Sequence, residues 1–266
     1  MTAVLRDALS AAAAALSAAG CSTPQLDAEL LIADALGADR AVVVSSPDLA
    51  LSGARSRVIA EHVRRRIARE PVAYILGSRG FRRLDLVVDS RVLIPRPETE
   101  LLVEVALGLP DGARVHDVGT GSGAVALALR DERPDLAVSA SDVSEDAVSV
   151  ARANAARLGL PLELTVAPGL PPGEYDLVVA NLPYVREDEW DGLAPEITKY
   201  EPRLALVSGS DGLDAIRSLA AGAPSGTRLA LEHAPSQAAA VRALLRDAET
   251  LPDLSGRERV TTGAAP

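Results

Sequence analysis

The sequence predicts an α/β protein in which a mostly parallel, doubly wound, Rossmann-like sheet follows a small all-helical domain and a β-hairpin. Three observations predict this fold. Hydrophobic residues recur at helical spacing through residues 1–75, they alternate with polar residues between 76 and 96, and short apolar runs alternate with helix-like segments from 97 to 266. Strands joined by helices pair in parallel, with helices on both faces of the sheet. We therefore expect two domains joined by a hairpin linker at 76–96.

The first domain contains residues that are typical of the starts, ends and apolar spacing of helices. Leu5, Leu9 and Ala12 recur at helical intervals. Gly20 ends that run, and Thr23-Pro24 begins another. A small helical bundle is therefore expected before the hairpin.

The hairpin is predicted from an alternating pattern. Leu84, Leu86 and Val88 alternate with Asp85, Val87 and Asp89, and Asp89-Ser90 then offers a turn before the apolar run 92–94. We therefore expect the turn of the hairpin at Asp89-Ser90.

The rest of the chain alternates strands with helices. Strands are predicted at 114–118, 137–141, 163–166, 175–180, 228–231 and 259–262, and the clearest helices at 124–130 and 146–158. The stretches 220–227 and 247–254 look short, so we expect the strand between 228–231 and 259–262 to be rudimentary.

Composition excludes several classes of protein. The chain has 266 residues, of which 48% are hydrophobic, so it can bury a large core. A net charge of -10 argues against coating a phosphate backbone, and no stretch is long and apolar enough to span a membrane. The lone Cys21 excludes an internal disulfide and fits a reducing compartment. We expect a cytoplasmic monomer that does not bind nucleic acid directly.

One segment nevertheless is strongly basic. Eleven arginines lie between Arg55 and Arg96 against four acidic residues, a local charge of +7. Two interpretations are open: structural ion pairs on a solvated face, or a surface that docks an acidic partner.

A glycine-rich loop follows the strand 114–118. Glycines at its turns let the backbone approach a ligand closely, and Asp142, at the end of the next strand, can accept both hydroxyls of a ribose. Asp117 can hold an ammonium group, as S-adenosylmethionine carries, and would repel a pyrophosphate. The residues expected to bind that cofactor are Asp117, Gly119, Thr120, Gly121, Ser122, Gly123, Asp142 and Asn181. A nicotinamide dinucleotide site and a purely structural turn remain alternatives.

The tetrapeptide Asn181-Leu182-Pro183-Tyr184 follows the strand 175–180. It resembles the Asn-Pro-Pro-Tyr signature of methyltransferases that modify an amide or exocyclic amine nitrogen. Such a nitrogen is a weak nucleophile, so the site must align it and accept its hydrogens. Asn181 Oδ1 and the Leu182 carbonyl can accept them, Pro183 stiffens the turn, and Tyr184 offers a flat wall. A strand-ending Asx turn is the structural alternative.

Several blocks of sequence resemble one family, the HemK or PrmC glutamine methyltransferases of peptide chain release factors. They are 27–31, 69–77 with Phe81, 92–100, 200–206, 211–213, 231–233 and 256–260, beside the loop and the tetrapeptide. The most specific is Ile94-Pro95-Arg96-Pro97-Glu98-Thr99-Glu100. The resemblance implies a class I methyltransferase domain with a seven-stranded sheet at 97–266, and an N-terminal bundle at 1–75 that docks the substrate protein. It implies methyl transfer from S-adenosylmethionine to the glutamine N5 of a Gly-Gly-Gln loop.

Two departures from the family pattern keep alternatives open. Leu182 stands where the family has proline, so the φ angle that proline fixes is free here. The stretch Val166-Ala167-Pro168-Gly169 lacks the acidic residue that the family places near adenine. The alternatives are an amino-methyltransferase acting on another protein, a small molecule or a nucleic-acid base, or a catalytically weakened cofactor-binding paralogue. His62, His116 and His233 lack ligand spacing, so no metal is expected.

Overall fold

The computed structural model describes residues 4–266 and divides into two compact units. One unit comprises the chain up to Gly77 together with Ala194–Tyr200. The other comprises Ser78–Leu193 and Glu201–Pro266. Each unit has a buried apolar core of its own.

The first unit is helical. Its helices are α1 (Leu5–Ala18), α2 (Pro24–Leu36), α3 (Arg40–Ser45), α4 (Gly53–Ile67) and α5 (Val72–Leu76). Pro24 occupies the first turn of α2, where its missing N–H costs nothing, and Gly37 ends that helix in a left-handed conformation with φ +63°. Leu5, Leu16 and Leu31 are fully buried in the core between the helices.

A buried ion-pair network ties the segment Ala194–Tyr200 to the helices of this unit. Arg66 is only 4% exposed, and its guanidinium lies 2.8 Å from Asp27 Oδ2 and 2.8 Å from Glu196 Oε1. Arg69 reaches Glu196 Oε2 at 2.7 Å. Breaking a buried pair by removing one partner strongly destabilises a fold, so these contacts fix the segment.

Most arginines of the basic segment are engaged by carboxylates of the chain. Those with a partner at ion-pair distance are Arg64, Arg65, Arg66, Arg69, Arg82, Arg83, Arg91 and Arg96. The local excess of positive charge is therefore largely neutralised within the fold. This favours structural ion pairs over a free basic surface.

The second unit contains the hairpin and the sheet. Its elements, in chain order, are β1 (Ser78–Phe81), β2 (Leu84–Val87), α6 (Glu100–Leu107), β3 (Arg114–Val118), α7 (Ala124–Glu132), β4 (Ala137–Asp142), α8 (Glu145–Leu158), β5 (Glu163–Val166), β6 (Leu177–Ala180), α10 (Asp214–Gly222), β7 (Arg228–Glu232), α11 (Ala238–Arg242), β8 (Arg246–Pro252) and β9 (Glu258–Ala264). The helix α9 (Pro195–Tyr200) interrupts this order and belongs to the first unit.

The main sheet has the strand order β5-β4-β3-β6-β7-β9-β8. Neighbours from β5 to β7 are parallel, and β9 pairs antiparallel with both β7 and β8. Residues of α6 and α7 belong to one buried core cluster of the sheet, and residues of α10 and α11 to another. Because parallel strands share direction, the carboxyl ends of β3, β4, β6 and β7 meet at one edge.

The hairpin differs from its predicted register. β1 pairs with β2 through Ser78↔Val87 and Phe81↔Leu84, so the turn lies at Arg82-Arg83. The chain does turn at Asp89-Ser90, where the Val92 N–H donates to the Asp89 carbonyl at 3.1 Å. The expectation that this turn joins the strands of the hairpin is wrong, because the apolar run 92–94 forms no strand. Val92 and Ile94 of that run are buried without pairing as a strand, and Leu93 is partly buried.

The expectation of a rudimentary strand before β9 is also wrong. β8 runs from Arg246 to Pro252 and pairs with β9, with a register shift between Arg246 and Glu249. Asp247 in that interval has φ +50°, the geometry of a local irregularity in an edge strand. Among the described residues, no helix is long and apolar enough to cross a membrane.

Candidate active site

The glycine loop turns the chain from β3 into α7. The N–H groups of Gly119 and Thr120 both donate to the Ser141 carbonyl of β4, at 2.9 and 3.0 Å, which holds the loop against the neighbouring strand. Gly121 has φ +56°, a left-handed conformation that disfavours any side chain. Gly123 caps α7 with φ +84°, and a Cβ there would lie 3.0 Å from Leu127 Cδ1. Gly123 therefore serves close packing of the helix.

Asp142 ends β4 and braces this loop. Its Oδ2 accepts from the Gly121 N–H at 2.9 Å, and its Oδ1 accepts from the Ser144 N–H at 2.9 Å. Ser144 in turn caps α8 by accepting from the Ala147 N–H at 3.2 Å. Burial raises the pKa of the Asp142 carboxyl, and these backbone donors oppose that rise. The carboxylate is thereby fixed in orientation at the strand end.

Asp117 is a second buried carboxyl of the loop. It is 2% exposed, and its Oδ2 accepts from the Thr120 hydroxyl at 2.7 Å. Burial raises the pKa of Asp117 to about 7. A buried carboxylate is stabilised by a cation beside it, so this position suits a positively charged ligand group.

His116, beside Asp117, is neutral and structural. Its ring nitrogens hydrogen-bond the Ser139 and Ser141 hydroxyls at 2.8 and 2.9 Å. Burial lowers the pKa of His116 to about 4.

The tetrapeptide begins directly after β6. Asn181 Nδ2 donates to Thr99 Oγ1 at 2.9 Å, which leaves the Asn181 Oδ1 as an acceptor. The Leu182 side chain covers the loop: a Cβ added to Gly119 would lie 3.0 Å from Leu182 Cδ2. Leu182, which stands where the family pattern has proline, thus fills the space over Gly119.

The carboxyl end of the tetrapeptide is clamped by Gln237. Its Nε2 donates to the Tyr184 carbonyl at 2.9 Å and to the Asp211 carbonyl at 3.1 Å, while its Oε1 accepts from the Ala234 N–H at 3.0 Å. Gly212 packs against the same point, since a Cβ there would lie 2.2 Å from the Tyr184 carbonyl oxygen. Burial raises the pKa of the Tyr184 hydroxyl to about 12, so it stays neutral.

Most of the predicted site residues line one cavity. Its lining includes Asp117, Gly119, Thr120, Gly121, Ser122, Asp142, Asn181, Leu182 and Pro183, together with Thr99, Val143 and Leu204. Gly123 and Tyr184 do not line it, and their direct contact with a ligand stays a prediction. A second cavity, which shares Gly119, Val143 and Leu182 with the first, extends along the residues after β5, including Ala167 and Pro168. Its lining has no acidic side chain among the described residues, as the sequence indicated.

Sequence reasoning gave no role to two residues that hold the tetrapeptide, nor to a buried carboxyl on the neighbouring strand. Thr99 anchors Asn181, Gln237 clamps Tyr184, and Glu232, the last residue of β7, is 1% exposed behind the tetrapeptide. Thr99 and Glu232 lie in blocks that carry the family resemblance, and this was the only signal available for them. Arg96, by contrast, pairs with the buried Glu201 and does not line the cavity.

Comparisons with known proteins agree with this geometry. A model of the PrmC N-terminal domain matches residues 7–77, and a model of the methyltransferase small domain matches residues 97–200. The crystal structure of a methyltransferase from Pyrococcus furiosus superposes with a TM-score of 0.50 at 19% identity, covering 67% of this chain and 87% of that one. The predicted class I methyltransferase fold is thus confirmed.

Full-length relatives are considerably more similar. The release factor glutamine methyltransferase of Xylella fastidiosa (strain Temecula1) is 44% identical over 273 residues, which cover 95% of this chain and 98% of that protein. The protein of the same name from Neisseria gonorrhoeae is 47% identical over 214 residues, 75% of this chain and 78% of its own. The chain belongs to the family of release factor glutamine methyltransferases, as its sequence blocks predicted.

Proposed function

We propose that this chain transfers the methyl group of S-adenosylmethionine to the side-chain N5 of a glutamine in the Gly-Gly-Gln loop of peptide chain release factors. The observation that carries the proposal is the shared cavity. It places the glycine loop with its two buried carboxyls beside Asn181, whose amide oxygen has no donor from the described residues. Family membership supports the substrate.

The residues of the cavity fit S-adenosylmethionine. Asp117 is a buried carboxyl whose partners are neutral, so a ligand ammonium group there would be stabilised. Asp142 lies at the strand end suited to a ribose, and Gly119 and Gly121 leave room that side chains would fill. When bound, this cofactor supplies an electrophilic methyl group on a sulfonium.

The tetrapeptide fits a planar amide. Asn181 Oδ1 and the Leu182 carbonyl accept the two N–H hydrogens of the glutamine amide, which directs the nitrogen lone pair toward the methyl carbon. In that arrangement the N–C bond would form as the S–C bond of the bound cofactor breaks, and the nitrogen would then lose one proton to water. No general base is required, because the methylated nitrogen is strongly acidic before it loses that proton. Tyr184, held neutral, packs beside the amide as its wall.

The proposal also gives the helical unit a role in substrate docking. We assign docking of the release factor to residues 1–75, with the hairpin at 76–96 as linker and the transferase at 97–266. With most arginines of the basic segment paired internally, docking rests on shape and on the remaining polar surface. The proposal includes a cytoplasmic monomer without direct nucleic-acid binding, which fractionation and sedimentation would test.

Methyl transfer from labelled S-adenosylmethionine tests the function. The protein is incubated with purified release factor, with a Gly-Gly-Gln to Gly-Gly-Ala version, and with duplex DNA. Label on the release factor alone, mapped to the glutamine by mass spectrometry, is the expected result. Label on the alanine version would show another acceptor residue, and label only on DNA would show a nucleic-acid methyltransferase. Cofactor binding by calorimetry without any label would show a binding module, so each of these outcomes rejects the proposal.

A further inference from the structure

The cofactor cavity adjoins a second cavity at the same edge of the sheet. The second cavity has a volume of about 720 Å³, and its lining continues along the residues that follow β5. The residues that line both cavities are Gly119, Val143, Leu182, Pro183 and Leu204. The proposed chemistry gives the second cavity no role.

The order of the strands indicates which part of the cofactor reaches the second cavity. β3, β4 and β5 are successive neighbours in the sheet, so Asp117, Asp142 and Ala167, at or just after their carboxyl ends, follow one another along one edge. Neighbouring strands lie about 4.8 Å apart, so this edge extends over about 10 Å. A cofactor with its ammonium group at Asp117 and its ribose at Asp142 therefore directs its adenine toward Ala167.

Two exposed apolar side chains lie where the cavities meet. Val143, the residue after Asp142, is 55% exposed, and Leu204 is 64% exposed. Single exposed apolar residues are ordinary on a protein surface, but these two line the same two cavities. A flat base that passes from the first cavity into the second would cover both, and covering apolar surface favours binding.

Both side chains are carried by a well-held backbone. Leu204 is the middle residue of a short 3-10 turn, and the guanidinium of the preceding Arg203 lies 5.4 Å from the centre of the Trp190 ring. A cation over an aromatic ring at this distance is attracted to it. Val143 follows Asp142, whose carboxylate accepts from two backbone N–H groups. The apolar contact surface is therefore in place before a ligand binds.

The second cavity offers little that could recognise the edge of the base. No acidic side chain lines it within residues 4–266. The Ala167 N–H already donates to the Asp142 carbonyl at 2.9 Å, and Pro168 has no N–H. A hydroxyl either donates or accepts, so it serves an amino group and a carbonyl equally. The side chains with hydroxyls in this lining are Thr165, Ser208 and Ser218.

We propose that apolar contact with Val143 and Leu204 holds the base of the cofactor, and that no side chain of this protein selects the 6-amino group of adenine. The inference deepens the proposed function, on which the placement of the cofactor rests. A pocket that relies on apolar contact rejects a similar ligand weakly, whereas a site built to hydrogen-bond a polar group strongly rejects a ligand without it. The site is therefore expected to bind cofactors with an altered base.

Calorimetry with S-adenosylhomocysteine and S-inosylhomocysteine tests the lack of selection. In the second ligand a carbonyl replaces the 6-amino group, and the ring nitrogen beside it carries a hydrogen. The two Kd values are expected to agree within about tenfold, because the hydroxyls of the cavity adapt to either edge. A preference for the adenine ligand above about tenfold would overturn the proposal.

Ala167→Asp is expected to create the missing selection. Its carboxylate can accept from the 6-amino group and repels a carbonyl, so the preference for the adenine ligand is expected to rise at least about tenfold. Val166→Asp is the matched control, because Val166 is 51% exposed, lines neither cavity and places the same charge one residue earlier. An unchanged preference in Ala167→Asp, or an equal rise in Val166→Asp, shows that the base does not lie beside Ala167 and rejects the inference.

Serine substitutions test the apolar contact. Val143→Ser and Leu204→Ser are each expected to raise the Kd of both ligands by roughly 5- to 20-fold and to leave the ratio of the two Kd values unchanged. Val166→Ser, which changes an exposed valine outside the cavities, is expected to keep both Kd values within about twofold. Unchanged Kd values in Val143→Ser and Leu204→Ser, or an equal loss in Val166→Ser, would contradict the assigned contact.

Binding and methyl transfer separate this inference from the proposed function. The calorimetric measurements need no methyl acceptor, so they report on the base alone. Similar Kd values for the two ligands in a protein that labels no release factor would reject the proposed function and leave the inference standing. Strong selection for adenine in a protein that labels the release factor would reject the inference alone.

Discussion

Gly121→Ala isolates the contribution of the glycine loop to cofactor binding. Gly121 has φ +56°, its N–H donates to Asp142 Oδ2, and it lines the cavity. A Cβ built on Gly121 meets nothing within 4 Å, so a methyl group enters open space beside the cavity. Gly112 offers a matched control, because its φ is +76°, its Cβ also meets nothing within 4 Å, and it does not line the cavity.

Gly121→Ala and Gly112→Ala are expected to lower the stability of the fold by similar amounts, but only Gly121→Ala changes the cofactor site. A left-handed conformation costs a non-glycine residue about 1–2 kcal/mol, which lowers the melting temperature of a domain of this size by roughly 2–8 °C. Both variants carry this strain. Only Gly121→Ala also adds a methyl group to the wall of the cavity and strains the backbone that Asp142 braces. We expect its Kd for S-adenosylmethionine to rise at least about tenfold, equivalent to about 1.4 kcal/mol.

Calorimetry and thermal unfolding together measure both effects. Titration with S-adenosylmethionine gives the Kd of each variant, and unfolding without ligand gives the shared strain. A similar melting temperature with a selectively weakened Kd in Gly121→Ala supports the site. An unchanged Kd in Gly121→Ala, or an equal loss in Gly112→Ala, would refute the assignment of the loop as the cofactor site.

Three further substitutions give distinct outcomes. Asn181→Ala is expected to abolish methyl transfer and to keep cofactor Kd within a few fold, measured by label transfer and calorimetry; an unchanged rate removes Asn181 from the mechanism. Asp117 has a folded-state pKa near 7 against an ordinary 3.8, so its ionisation weakens the unliganded fold as pH rises between these values. Asp117→Asn is therefore expected to raise the free energy of unfolding at pH 8, by up to about 4 kcal/mol, and to weaken cofactor binding, whereas a pH-independent stability difference would contradict this. Gly212→Ala would put a Cβ 2.2 Å from the Tyr184 carbonyl oxygen, so we expect lower stability and lower kcat, and near-native values of both would argue against the Gln237 clamp.

The sequence predicts the centre of the parallel sheet well because β3, β6 and β7 are short runs that are buried on both faces. The strand predicted at 114–118 coincides with β3, and β4, β6 and β7 differ from their predictions by one or two residues at one end. The glycine loop and the tetrapeptide follow β3 and β6, so their meeting at one edge follows from parallel pairing. The position of the loop and the tetrapeptide could therefore be predicted from local sequence patterns and from the topology of the sheet alone.

The hairpin and the edge strand β8 were mispredicted because their signals are not local. β1 reads Ser78-Arg79-Gly80-Phe81, where only Phe81 is buried, and its turn holds Arg82 at φ +52° without glycine or asparagine. Nothing in that stretch indicates a strand or a turn. β8 is half-exposed and irregular, so its pairing with β9 sets its conformation more than its own residues do.

The orientation of the site residues was the least predictable feature, because it depends on partners distant in the chain. The position of Asn181 follows from the end of β6, but the direction of its amide is set by Thr99, 82 residues earlier. Tyr184 is likewise fixed by Gln237, 53 residues later. An amide that could turn over would present a donor or an acceptor to the methyl acceptor with similar ease. The tetrapeptide alone therefore indicates a planar nitrogen acceptor, and the direction of its amide depends on a hydroxyl that the turn before α6 delivers.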